Sequence, residues 1–97
     1  MDPFKPYQPK AKKPTEGDAQ AVALRAVAYI VADEVQLSRF VGLTGCGAEE
    51  LRHRLGDPAF LGAVLDFILG DEATTIAFAG HEGFTPETTA SVRALLP

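Results

Sequence analysis

Gly56-Asp57-Pro58 and, fourteen residues later, Gly70-Asp71 are paired stop and start signals for helices. Glycine tolerates the backbone geometry that ends a helix. Aspartate accepts the orphan backbone N–H groups of the next one, and proline fits the first helical position because its missing donor is not needed there. The intervening segment is therefore a short helix, held to about three turns. At 100° per residue, Phe60, Leu61, Val64, Leu65, Phe67 and Ile68 crowd one broad face of it. A helix so short and so apolar has to be surrounded by others, and it is expected to form the centre of the core.

The rest of the chain after Thr15 has the same texture. A first helix is expected from about Ala19 to Ala32, with Ala23, Leu24, Val27, Ile30 and Val31 on one face and Asp18, Arg25 and Asp33 on the other. Asp33 is expected to cap a second helix, with Gln36 returning a bond to complete a capping box and Leu37, Phe40 and Val41 as the buried stripe. Thr44-Gly45-Cys46-Gly47 stops it. A short third helix, Ala48 to Leu55, offers only Leu51 and Leu55 to a core. A fifth runs from Glu72 to about Glu82, where Ile76 and Phe78 point roughly 160° apart. Either both of its sides are covered or Phe78 is exposed. Thr85 is expected to cap a last helix opened by Pro86, with Val92, Leu95 and Leu96 completing the apolar face. No alternating run reads as a strand.

The fold class that follows is all-α: a compact bundle of five to six short helices forming a single domain over residues 18–97, preceded by a disordered Lys/Pro-rich tail over residues 1–17. Prolines at 3, 6, 9 and 14 keep that tail out of helical geometry, and Phe4 and Tyr7 lack apolar neighbours. The tail also has the spacing of a polyproline II segment. A domain of this size has a thin core, and a weak homodimer would add to its stability.

Charge divides at the same boundary. Residues 1–14 hold four lysines against Asp2, +3, and residues 15–97 hold five arginines against twelve carboxylates, 5 − 12 = −7, together the −4 of the whole chain. An acidic body disfavours nucleic acid, whose binding rests on phosphate neutralisation. No apolar run approaches the roughly 18 residues that cross a bilayer, the longest being Ala26 to Ala32, and no apolar stretch follows the basic N-terminus as in a secretory signal. The expectation is a cytoplasmic protein without membrane contact.

Catalytic and cofactor chemistry finds little support. One cysteine, Cys46, rules out an internal disulfide, and Cys46, His53 and His81 match no zinc spacing. No glycine-rich phosphate loop occurs. Asp18, Asp33, Glu34, Glu49, Glu50, Asp57, Asp71, Glu72 and Glu87 all fall at expected helix starts, where they serve capping and complement the helix dipole, and Asp66 is expected in solvent. Leu37 to Leu55 loosely has the form of a helix-turn-helix, in which Arg52, His53 and Arg54 would face DNA.

Arg39–Gly45 (RFVGLTG) and Gly56–Phe78 (GDPAFLGAVLDFILGDEATTIAF), within the run Ala21 to Leu96, resemble a family of small alphaproteobacterial proteins catalogued as a domain of unknown function, number 3572. The most specific element is DPAFLGAVLDF. The positions that carry the resemblance are Asp57, Pro58, Phe60, Leu61, Val64, Leu65, Asp66 and Phe67. The resemblance implies a compact helical fold in a bacterial cytoplasm, with no activity, cofactor or catalytic residue to transfer.

The functional expectation is a non-catalytic helical module, without metal or cofactor, that binds a protein partner through an apolar groove or an incompletely covered helix face. Tyr29, Phe78 and Phe84 are its candidate contacts. The alternative is a nucleic-acid binder using Arg52, His53 and Arg54.

Overall fold

The computed structural model describes residues 13–97, and the expectations for the tail before Lys13 lie outside them. Six helices follow one another: α1 (Glu16–Val31), α2 (Glu34–Thr44), α3 (Ala48–His53), α4 (Pro58–Leu69), α5 (Glu72–Glu82) and α6 (Glu87–Arg93). No strand occurs among the described residues.

Local chemistry sets most of these boundaries. Asp57 accepts the N–H of Ala59 with Pro58 at the helix start, Asp71 accepts the N–H of Thr74, and Asp33 accepts those of Val35 and Gln36. Gly45 and Gly83 end α2 and α5 at φ +71° and +79°, the left-handed geometry in which a Cβ would crowd the backbone. α1 starts at Glu16, three residues before the expected Ala19. Thr15 Oγ1 accepts the N–H of Asp18, and Asp18 Oδ2 accepts the N–H of Thr15 in return, a complete capping box.

α4 is the centre. It packs against α1, α5 and α6, while α1 also contacts α2 and α6. Every residue of its expected apolar face is buried. Phe40 of α2 meets it edge to face, with ring centroids 5.2 Å from Phe67 and 6.3 Å from Phe60. Gly62 lets the chain end come close, since a Cβ there would lie 2.7 Å from the Pro97 carbonyl oxygen and 3.0 Å from Arg93 Nη1.

Several expectations about faces need correction. Leu24 and Val31 are 43% and 47% exposed, and the buried stripe of α1 is instead Ala19, Ala23, Ala26, Val27 and Ile30. Alanines let α1 lie close to its neighbours, so the contact line shifts toward them. Val41 and Leu95 are also exposed. Gln36 makes no return bond to Asp33, because its amide is drawn across to Thr74 of α5. α3 ends at His53, short of Leu55. Thr85 does not cap α6: the capping position falls on Pro86, whose side chain cannot bond the backbone, and the Thr85 hydroxyl lies 3.2 Å from that of Thr88.

Phe78 is 0% exposed, between Tyr29 at 5.4 Å and Phe84 at 5.9 Å between ring centroids. It is a core residue, unavailable as a surface contact. Ile76, on the far side of α5, takes the exposure instead, so neither expected arrangement of this helix holds. Asp66 has a partner rather than solvent alone. Its two oxygens accept Arg93 Nε at 2.7 Å and Nη2 at 3.1 Å, a fork that ties α4 to α6. The remaining Arg93 nitrogen donates to the carbonyls of Leu96 and Pro97, fastening the chain end to the same clasp.

Candidate functional site

The twelve carboxylates after residue 14 do not converge. Glu16, Asp18, Asp33, Glu34, Glu49, Glu50, Asp57, Asp71, Glu72 and Glu87 all occupy caps or first turns. The two others, Asp66 and Glu82, pair with Arg93 and Arg25. Each acid therefore already has a helix end or an arginine to complement. Among the described residues no three potential metal ligands come together.

The histidines and the cysteine are also apart in role. Cys46 is buried in the α2–α3 turn, its N–H donating to Thr44 Oγ1. His53 is exposed on α3, and His81 is exposed on α5. Arg52 and Arg54 are exposed as well, but Arg54 donates to Glu50 at 3.1 Å and lies over the Phe60 ring. Glu49 and Glu50 open that same six-residue helix.

Two depressions lie on the surface beside α5, one at each half of the helix. Ala73, Ala77 and His81 succeed one another at four-residue spacing and form a ridge of about 12 Å. Facing its first half are Gln36 and Arg39 of α2; facing its second half are Arg25, Ala28, Tyr29 and Ala32 of α1.

Polar networks hold both ends. At the first, Thr74 is buried and its hydroxyl donates to Asp71 Oδ2 at 2.6 Å while accepting from Gln36 Nε2 at 3.3 Å. Arg39 Nη1 donates to Gln36 Oε1 at 2.7 Å, and its guanidinium lies 4.9 Å over the Phe67 ring. The first turns of α2 and α5 are thus joined side by side. The hydroxyl and N–H of Thr74 are the main reason the Asp71 carboxyl sits below its ordinary range, with Arg39 adding to it.

At the second end, Arg25 Nη1 donates to Glu82 Oε1 at 2.9 Å and His81 Nδ1 stands 2.9 Å from Oε2. The bond from Arg25 chiefly, then that from His81, lowers the Glu82 carboxyl below its usual range against the opposing effect of its burial. Tyr29 is half-buried between Phe78 and His81, its ring 5.4 Å from each.

Large apolar side chains on α2 and α5 remain uncovered. Val35 is 68% exposed next to Arg39, and Ile76 is 53% exposed on the outer side of α5. Of the sequence-derived contacts, Tyr29 lines the depression at the His81 end of α5. Phe84 is half-buried against Phe78. The residues missed, Val35 and Ile76, were detectable only as apolar positions off the main helical stripe.

The sequence profile of DUF3572, described as a protein of unknown function, matches residues 16–97. The chain belongs to this family. Comparison with curated proteins and with solved structures returned no match. The DUF3572 match begins where α1 begins and takes in all six described helices, so both depressions belong to the DUF3572 region. No helix among the described residues is long and apolar enough to cross a membrane.

Proposed function

We propose that this DUF3572 domain is a non-catalytic helical module that binds another protein through apolar side chains left exposed on α2 and α5. The observation that carries the reading is the exposure of Val35 on α2 and Ile76 on α5, two large apolar side chains that the bundle leaves uncovered. Large apolar groups left in water on adjoining helices gain their burial from something outside the fold. The engagement of the carboxylates in capping and ion pairing supports a binding role over general acid–base chemistry.

The test is photo-crosslinking in the native cell from a reactive amino acid placed singly at positions 35, 76 and 63, in the full chain. Ala63 is exposed on the Asp66 side of α4. Adducts of one defined mass from positions 35 and 76, and none from 63, are expected. Identical adducts from all three, or none from 35 and 76, would contradict the reading.

A further inference from the structure

We infer that the outer face of α1 pairs, antiparallel, with the same face of a second copy of this chain, a contact separate from the Val35 and Ile76 surface proposed above. Between Asp18 and Asp33, six residues of α1 and its C-cap are exposed: Ala21, Leu24, Arg25, Ala28, Val31 and Ala32. Only Arg25 is charged, and its Nη1 already donates to Glu82 Oε1 at 2.9 Å. A solvent-facing stretch with no unmatched charge is out of keeping with a body whose carboxylates outnumber its arginines. Its large members, Leu24 and Val31, are 43% and 47% exposed.

The order of the residues selects the occupant. Ala21, Leu24, Ala28 and Val31 follow one another by three, four and three positions, the spacing at which one helix seats its side chains between those of another. The stripe is about 15 Å long at the helical rise, and small and large residues alternate along it. Turned about a two-fold axis at its midpoint, it is its own complement. Leu24 meets Ala28 of the second copy and Val31 meets Ala21, large against small at every level, whereas parallel pairing sets like against like. A foreign helix would have to supply this pattern; a second copy already carries it. Six residues are fewer than the roughly 20 to 30 per partner of a stable interface, so the pairing is reversible and grows with concentration. The antiparallel arrangement also sets Glu16 and Asp18 toward Asp33 and Glu34 of the second copy, a like-charge contact that salt screens.

Sedimentation equilibrium and amide NMR of the full chain over a concentration series test the pairing. A monomer–dimer equilibrium is expected, with shifts centred on Ala21, Leu24, Ala28 and Val31, and it tightens as salt is raised. Leu24→Ser with Val31→Ser should weaken dimerisation about tenfold, and Val35→Ser with Ile76→Ser should leave it unchanged. Cys46 is buried, so introduced thiols report the register. Mild oxidation of Ala21→Cys mixed with Val31→Cys should give a crosslinked pair, and Ala21→Cys alone none. A single monomeric species at every concentration, shifts centred on Val35 and Ile76 or scattered over the surface, weakening by salt, or crosslinking of Ala21→Cys alone would each overturn the inference.

Discussion

At the scale of single residues, close packing makes two positions informative. Gly62 faces the Pro97 carbonyl and the Arg93 guanidinium at distances that no Cβ tolerates. Gly62→Ala is expected to push the Arg93 clasp away and cost about 1–3 kcal/mol in denaturant unfolding, despite alanine's better helix propensity. Thr89 presents the opposite case. It is fully buried in α6, and its hydroxyl has no hydrogen-bond partner among the described residues. Thr89→Val keeps the shape and removes the unpaired group, and is expected to raise stability by about 1 kcal/mol in the same measurement. Neither effect was legible in the sequence. What matters at both positions is which atom of a distant segment lies opposite.

At the scale of elements, helix ends were readable and helix faces only partly so. Asp57, Asp71, Gly45 and Gly83 act through bonds within a few residues of themselves, so their roles survive any tertiary arrangement. The start of α1 follows from Thr15 and Asp18, a signal present in the sequence but overshadowed by the prolines before it. Which side of a helix is buried is decided elsewhere. On α5 the packing of α1 and α4 draws Phe78 inward and leaves Ile76 out, and no periodicity within eleven residues distinguishes those outcomes. The caps differ in kind as well. Asp33 serves backbone donors alone, whereas Asp71 also holds the buried Thr74 hydroxyl that joins α5 to α2. Asp33→Ala is expected to cost about 1 kcal/mol, and Asp71→Ala more, with amide shifts in the Asp71 variant spreading to Gln36 and Arg39 of α2.

At the scale of the whole molecule, the acidic body is stabilised at neutral pH by carboxylates that favour their charged form when folded. Asp66 is held low by the bond from Arg93 first, and Glu82 by that from Arg25. Their folded pKa values lie below those of the unfolded chain, so this stabilisation is complete above the ordinary carboxylate range. It is lost as pH falls through the lower, folded values. The Tm is expected to hold from about pH 7 to pH 5 and to drop below about pH 4. Asp66→Asn with Glu82→Gln should melt lower at pH 7 and show a flatter acid limb.

The same accounting separates what serves the fold from what does not. Phe78, which the sequence offered as a surface contact, belongs to the core, and Val35 and Ile76 do nothing visible for it. The most direct measurement of this division is the denaturant unfolding free energy of the Val35→Ser, Ile76→Ser double variant, with Phe78→Ala as reference. The double variant is expected to stay within about 0.5 kcal/mol of the parent while Phe78→Ala loses about 3–5 kcal/mol. A loss of several kcal/mol in the double variant would show that these side chains hold the bundle together, and would contradict their assignment to a partner.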